Sequence, residues 1–260
     1  MKRRYYYLIR VQFLGFRYSG WQRQPGQRTI EGMLLKTLKY LLPKQKFKIL
    51  GAGRTDAKVS ALDAAFELIM EESPISDIPD FINTFNNNLP SDIKILKLDN
   101  IDENFNIIKD SKSKEYRYLF SFGQKNHPFC APFMANILED LDIDIMTKAA
   151  ALFVGTHNFK AYTAKHGGNK KVIRTITSCT IIKNTEISAS FFPKHSYVLA
   201  ICGKGFIRYQ VRMVMGALIL LGRGMLSKEE IQLSLAGDTD ITIPYIAPGS
   251  GLVLSKLEFE

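Results

Sequence analysis

Residues 47–70, FKILGAGRTDAKVSALDAAFELIM, place two apolar runs on either side of a glycine-containing connection. FKIL and ALDAAFELIM have the length and composition of β-strands, so the connection is predicted to join two strands. Gly51 and Gly53 permit close approach of the backbone to a ligand, or a positive φ. Asp56 in this connection is then either a turn or capping residue, or a functional carboxylate with Arg54 as a fixed cation nearby.

The segments outside this connection mix strands and helices without the strict alternation of a doubly wound fold. The pattern predicts an α+β protein in which two similar α/β-sandwich halves, residues 1–110 and 111–260, share an extended, mostly antiparallel sheet. Helix caps are expected at Thr29, near Asp144, and in a capping box at Ser227. The further predicted strands are 5–13, 92–101, 114–123, 178–184, 186–192 and 197–203, and the predicted helices are 30–42, 78–90, 142–155, 206–222 and one after residue 227.

The composition indicates a polyanionic partner. Thirty-five Lys and Arg against 25 Asp and Glu give a formal charge of +10 and a pI near 9.4. Nucleic acid is the expected partner at this charge, and the alternative is that scattered lysines only keep the protein soluble. No apolar run reaches the roughly 18 residues of a membrane helix. The N-terminus does not resemble a signal peptide, so we expect a cytoplasmic protein.

Two segments combine basic residues with other residues of interest: aromatic residues in the first segment and glycines in the second. KSKEYRYLF (112–120) has the composition of a strand that stacks bases on aromatic side chains such as Tyr116, or of an ordinary amphipathic strand. KHGGNKKVIR (165–174) is predicted to be a flexible loop that either follows a phosphate backbone or is simply solvated. Its basic residues are Lys165, Lys170, Lys171 and Arg174.

Arg208 and Arg212 lie four residues apart in the predicted helix 206–222, amid apolar neighbours, and are therefore expected on one helix face. An arginine in such surroundings needs an anionic partner or a route to solvent, and Asp56 is a candidate partner. The four histidines share no metal-ligand spacing, and the three cysteines form no C-x-x-C pair. A zinc site or a disulfide framework is therefore not expected.

Five motifs together resemble a known family. YSGWQRQ, GAGRTDAKVSAL, NNNLPSDI, KSKEYRYLF and GFIRYQVRMVMGAL are similar, in order and spacing, to motifs of the tRNA pseudouridine synthase A family. The resemblance implies the pseudouridine synthase fold, with helices packed on one face of the sheet and an RNA-binding cleft on the other. It implies that Asp56 is catalytic, that Arg54 and Arg212 accompany it, with Arg212 as its ion-pair partner, and that Tyr116 lies against the target base.

This reaction detaches uracil from ribose, turns it and rejoins it through carbon, so its stoichiometry requires no cofactor, metal or external group donor. Asp56 acts either as a nucleophile on the nucleoside or as a base at the sugar, and both roles stay open. The resemblance also implies a homodimer that binds tRNA or another structured RNA, most readily the anticodon arm of tRNA. The residues expected to bind RNA are Tyr116, Arg23, Lys58, Lys165, Lys170, Lys171, Arg174 and Arg208.

The chain departs from the family pattern near the expected site. Lys58 stands where the family usually has Gly, and Ser60 where it has His. Further departures occur at Asn106, at Ile108, and at Tyr209 with Gln210. These changes leave Arg54, Asp56, Tyr116 and Arg212 intact, so the reaction is better supported than the RNA target. Two alternatives follow: a basic RNA-binding protein of this family without turnover, or a synthase acting on a different RNA such as rRNA.

Overall fold

The computed structural model describes residues 3–163, 172–237 and 241–260. Within these ranges the chain forms ten strands and five helices, which confirms the α+β class. The strands are β1 (Arg4–Phe13), β2 (Phe47–Gly51), β3 (Ser60–Glu71), β4 (Ile93–Asn100), β5 (Ser111–Phe122), β6 (Ala135–Ile137), β7 (Gly155–Asn158), β8 (Ile173–Lys183), β9 (Tyr197–Gly203) and β10 (Leu252–Phe259). The helices are α1 (Ile30–Leu41), α2 (Ile78–Asn88), α3 (Ile143–Ala150), α4 (Gln210–Gly222) and α5 (Lys228–Ala236).

The first of two compact units runs to Lys112 and also contains Leu254–Glu260. Its strands follow the order β4-β1-β3-β10, with β2 pairing to β3. The pairs β1–β3, β1–β4 and β2–β3 are antiparallel. β1 alternates as predicted, since Tyr7, Ile9 and Val11 are buried. A core cluster on this unit consists of Leu8, Ala52, Ala65, Ile107 and Leu257.

The two helices of the first unit begin at the predicted positions because a side chain satisfies the free N–H groups of each first turn. Thr29 Oγ1 accepts a hydrogen bond from Gly32 N at 3.2 Å, and α1 follows directly. Asp77 Oδ1 accepts from Asp80 N at 2.9 Å at the start of α2. The helices contact each other, and α2 contacts β4.

The second unit comprises Ser113–Val253. Its strands follow the order β5-β9-β8-β7 and are antiparallel, while the short β6 pairs parallel to β5. α3 contacts α4 and β8, and α5 contacts β7. The predicted capping box is confirmed, since Ser227 and Glu230 exchange two hydrogen bonds at the start of α5. No helix in the described ranges combines the length and the apolar character that a membrane crossing requires.

The predicted strand EISASFF (186–192) is wrong, because its backbone forms bends and turns instead. The Asn184 side chain forms hydrogen bonds with both backbone groups of Ile187. Its Nδ2 donates to Ile187 O at 2.7 Å, and Ile187 N donates to its Oδ1 at 3.1 Å. Side-chain bonds of this kind compete with a strand ladder. Phe191 and Phe192 pack instead against a buried cluster around Leu119.

Of the two longer helix predictions in the second unit, one has the expected start and the other does not. α3 is capped by Asp142, whose Oδ1 accepts from Ile145 N at 3.0 Å, which agrees with the cap predicted near Asp144. α4 begins at Gln210 and not at residue 206, because Tyr209 adopts the left-handed conformation with φ 65° and interrupts helical geometry. The apolar periodicity of 206–222 therefore extends beyond the helix itself.

Candidate active site

The connection between β2 and β3 holds Asp56 half-buried and Arg54 exposed. Its backbone bonds to an earlier segment of the same unit. Trp21 N donates to Thr55 O at 3.1 Å, and Lys58 N donates to Tyr18 O at 3.0 Å. Thr55 and Lys58 flank Asp56, so the chain on both sides of this carboxylate is fixed by the YSGW segment.

Two glycines allow this close approach. A Cβ on Gly20, whose φ is +94°, would lie 2.6 Å from Thr55 O and 3.1 Å from the carbonyl carbon of Asp56. A Cβ on Gly15 would lie 1.8 Å from Val59 O. Side chains at these positions would displace the Asp56 connection, since real Cβ atoms do not approach so closely.

Ser60, which replaces the histidine usual in the family, has a structural partner. Its Oγ is buried and accepts a hydrogen bond from Gly15 N at 2.9 Å. The hydroxyl, at the start of β3, thus satisfies the buried N–H group of Gly15. The serine at this position therefore links the backbone at Gly15 to the first residue of β3, and it does not disturb the β2–β3 connection.

Lys58 replaces a glycine of the family pattern and occupies the conformation that glycine favours, with φ 66°. Its side chain is exposed, and its Nζ lies 5.5 Å from the centroid of the Phe16 ring, a cation–π contact.

Arg23, also expected to bind RNA, is exposed and lies two residues after Trp21 in the chain. Its backbone N–H donates to Glu31 Oε2 at 2.6 Å, which ties it to the first turn of α1.

A polar network that the sequence patterns did not reveal supports this segment. The Tyr18 hydroxyl donates to Asp92 Oδ1 at 2.5 Å and accepts from Arg28 Nη2 at 3.2 Å. Burial, together with the hydrogen bond to Asp92, raises the pKa of Tyr18 to about 12. Arg17 Nε lies 3.7 Å from Asp92 Oδ2. The presence of Tyr18 in YSGWQRQ and Asp92 in NNNLPSDI was the available signal, but nothing in either motif shows that they meet.

In the second unit, Tyr116 lies half-buried on β5, opposite Ile201 of β9. The rings of Tyr116 and Phe206 are perpendicular, in a T-shaped contact with 5.3 Å between centroids. Lys114 is two residues away on the same strand and hence on the same face. Burial lowers the pKa of its ammonium group. Phe206 was not among the predicted site residues, although it stands in the GFIRYQVR motif.

Arg208 and Arg212 do not share a helix face, contrary to prediction, because Arg208 precedes α4. They meet at one ring instead. The guanidinium carbons of Arg208 and Arg212 lie 4.7 and 5.2 Å from the centroid of Tyr209. Arg208 Nη2 also donates to the Tyr209 hydroxyl at 2.9 Å.

Arg212 is anchored to the segment that precedes β10. Its Nε donates to Ala247 O at 2.7 Å, and its carbonyl accepts from Ala247 N at 3.1 Å. The neighbouring Tyr118 is fully buried, and burial raises its pKa well above the usual range while the charge of Arg212 opposes that shift. The pairing of Arg212 with Asp56 stays a prediction.

The remaining predicted RNA-binding residues belong to the 165–174 segment. Arg174 is half-buried on β8, opposite His157, and not in a loop as expected. Lys165, Lys170 and Lys171 lie outside the described residues. In the part of the chain that the structure describes, no group of three His, Cys, Asp or Glu side chains is arranged to hold a metal ion.

Comparisons with known proteins agree with the motifs. A family model described as tRNA pseudouridine synthase matches residues 149–260. The tRNA pseudouridine synthase A of Bacillus sp. (strain KSM-64) is 32% identical over 255 residues, which cover 97% of this chain and 99% of the relative. The protein of the same name from Thermodesulfovibrio yellowstonii is 32% identical over 249 residues, 95% of this chain and 96% of the relative. That from Dictyoglomus thermophilum is 30% identical over 253 residues, 96% of this chain and 98% of the relative.

These relatives span both units and include the regions of Asp56, Tyr116 and Arg212 within nearly full-length matches. The resemblance drawn from the five sequence motifs is therefore confirmed. The chain belongs to the tRNA pseudouridine synthase A family of isomerases.

Proposed function

We propose that this chain converts uridine to pseudouridine in tRNA and that Asp56 is its catalytic carboxylate. The observation that carries the proposal is the position of Asp56 between two backbone anchors, Thr55 to Trp21 and Lys58 to Tyr18. A connection fixed in this way holds one carboxylate at a defined place, which a reaction at a single carbon of the sugar requires.

The chemistry needs only groups that the chain supplies. The bond from the uracil nitrogen to the sugar breaks, the base turns, and a bond from a ring carbon to the same sugar carbon forms. That ring carbon loses its proton and the freed nitrogen gains one, so substrate and product have the same atoms. Asp56 acts either as a nucleophile on the nucleoside or as a base at the sugar. Arg54 and Arg212 supply positive charge that favours its ionised form.

Tyr116 is proposed to lie against the uracil ring. Because Phe206 and Tyr116 form a T-shaped contact with 5.3 Å between centroids, the orientation of the Tyr116 ring is restricted before RNA binds. Stacking on an aromatic side chain contributes about 1–3 kcal/mol per base. Extracting a uridine from a stem costs a few kcal/mol, so the two terms nearly offset.

Phosphate contacts must then supply most of the affinity, and the net charge of +10 fits that requirement. Exposed Arg23, Lys58 and Arg208 are proposed to contribute, together with Arg174. The anticodon arm of tRNA is the proposed target, and a homodimer acting in the cytoplasm is the proposed form. The target and the homodimer rest on the family resemblance, and the compartment is the expectation drawn from the sequence.

Asp56→Asn tests the proposal. The amide is a poor nucleophile and a poor base, so pseudouridine formation on tRNA should fall more than a hundredfold while the Kd for tRNA stays within a few-fold of wild type. Asp77→Asn is the matched control, since Asn caps a helix as well as Asp and this exposed residue starts α2. Residual turnover of the Asp56 variant above about a hundredth of wild type would remove Asp56 from the mechanism.

The same assay addresses the alternatives. Wild-type protein that binds tRNA but forms no pseudouridine in tRNA or rRNA would favour an RNA-binding protein without turnover. If pseudouridine forms in rRNA and not in tRNA, the proposed RNA target is wrong but the proposed reaction stands. Mapping pseudouridine positions in RNA from a deletion strain would identify the modified nucleotide directly.

A further inference from the structure

Tyr209 has an unusual backbone conformation at the start of α4. With φ 65° and ψ −1° it lies in the left-handed region, where a side chain other than glycine is disfavoured. Its side chain makes no capping hydrogen bond that would offset this cost. Only Lys58 and Glu72 share a positive φ among the non-glycine residues of the described ranges. Strain of this kind is retained where the surrounding structure requires it, and it clusters at functional sites.

The Tyr209 ring contacts both arginines of this segment. Arg208 and Arg212 approach its centroid to 4.7 and 5.2 Å. Both guanidinium groups stand near the N-terminus of α4, where the helix dipole is positive and disfavours cations. The first turn of α4 contains no acidic residue. The electron-rich ring face therefore supplies a local attraction for these charges.

Two contacts of the Arg212 side chain involve different parts of the chain. Its Nε donates to Ala247 O at 2.7 Å, and its guanidinium carbon lies 5.2 Å from the centroid of the Tyr209 ring. The Ala247 bond fixes Nε and by itself leaves the tilt of the guanidinium plane some freedom. A bulky ring at the position immediately before the helix removes much of that freedom.

We propose that Tyr209 is a positioning residue, which orients the Arg212 guanidinium for pseudouridine formation through its ring and not through its hydroxyl. This inference rests on the proposed function, in which Arg212 serves the reaction centre. It assigns a role to a position at which the chain departs from the family pattern.

Three substitutions separate the ring from the backbone. Tyr209→Phe keeps the ring and loses the hydroxyl that accepts from Arg208. Tyr209→Asn loses the ring but tolerates the left-handed conformation, so it should fold at least as stably as wild type. Tyr209→Leu loses the ring and keeps the strain. We expect kcat within threefold of wild type for Phe, and a fall of about tenfold for Asn and Leu, with KM for tRNA within threefold in all three.

The Asn variant decides the question, because a purely structural role predicts that relief of strain preserves activity. Wild-type kcat in a stable Tyr209→Asn protein would overturn the inference, as would a Phe variant as slow as the Asn variant. A rise in KM with unchanged kcat would also overturn it, by assigning Tyr209 to RNA binding. Asp56→Asn in the same assay keeps the two claims apart: if that variant is active, the proposed function fails, whereas an inactive Asp56→Asn beside a normal Tyr209→Asn removes only this inference.

Discussion

The backbone N–H of Lys58 donates a 3.0 Å hydrogen bond to the carbonyl of Tyr18. Lys58 lies two residues after Asp56, and Tyr18 lies two residues before Gly20. The bond joins segments 40 residues apart in the chain. Its counterpart, Trp21 N to Thr55 O, lies on the other side of Asp56. The position of the proposed catalytic carboxylate is therefore set by a segment that contains no proposed catalytic residue.

Gly20→Ala should lower activity by displacing this connection. The new methyl group would meet Thr55 O at 2.6 Å, so either the Asp56 connection or the 18–21 segment must move. A displacement approaching 1 Å at a reacting group can cost about a hundredfold in rate. We expect kcat for pseudouridine formation to fall at least tenfold, with a modest loss of thermal stability.

Gly26→Ala is the matched control. Gly26 also has a positive φ, +69°, but a Cβ there meets nothing within 4 Å. Its substitution should cost about 1–2 kcal/mol of stability from backbone strain alone and leave kcat within twofold of wild type. Equal activity of the two variants would show that the 18–21 segment does not hold Asp56 in place.

Lys58→Gly should be more stable than Lys58→Ala by about 1 kcal/mol. Both variants lose the cation–π contact with Phe16, and only glycine relieves the left-handed conformation at φ 66°. The greater freedom of glycine in the unfolded chain offsets part of the gain. Urea unfolding of the two proteins measures the difference. A Lys58→Ala protein as stable as Lys58→Gly would contradict the prediction, because the strain would then be no larger than the unfolded-state advantage of alanine.

Local rules predicted most elements correctly. Alternation over β1, the Thr29 cap of α1 and the Ser227–Glu230 capping box of α5 each depend on residues close in sequence. The Asp56 connection was also correctly placed between two strands. Such features need only hydrophobic period and capping chemistry, both of which are visible in the sequence.

The errors arose where a local competitor or a distant contact decides the structure. Asn184 bonds to the backbone of Ile187 and prevents the strand predicted at 186–192. Tyr209 turns left-handed inside an apolar run that has helical spacing. The bond between Tyr18 and Asp92 joins residues 74 apart, and no periodicity in the sequence indicates such a pair.

Binding to tRNA should weaken steeply with salt if the basic surface holds phosphates. With about five phosphate contacts, raising salt from about 50 to 200 mM should reduce affinity on the order of 100-fold. Arg23→Ala and Arg208→Ala should each remove one phosphate contact and so reduce the magnitude of the slope of log K against log salt by about 1. Lys39→Ala, at an exposed position of α1, is the control, since the helices are expected opposite the cleft. A flat salt response would mean that the positive charge only keeps the protein soluble.

Tyr18→Phe should destabilise the protein at neutral pH. The substitution removes the 2.5 Å hydrogen bond to Asp92 Oδ1. The other carboxylate oxygen, Asp92 Oδ2, is buried and has no hydrogen-bond partner among the described residues, although Arg17 lies 3.7 Å away. Leaving a buried acceptor without its donor costs about 1–3 kcal/mol. Tyr40→Phe makes the same chemical change at an exposed position of α1 and should leave stability unchanged.

The dependence of the free energy of unfolding on pH, above neutral pH, tests the same network through the titration of Tyr18. Burial and the Asp92 bond raise the pKa of Tyr18 from 10 when unfolded to about 12 when folded, so the folded state retains its phenol proton longer. The stabilisation from the neutral phenol is fully present below pH 10 and is lost as pH rises towards 12. Wild type should therefore lose stability faster than Tyr18→Phe across that interval, and the gap between them should narrow. Other buried tyrosines titrate in both proteins and cancel in the difference. Unfolding curves that stay parallel from pH 9 to 12 would show that the Tyr18 proton is not held by this network.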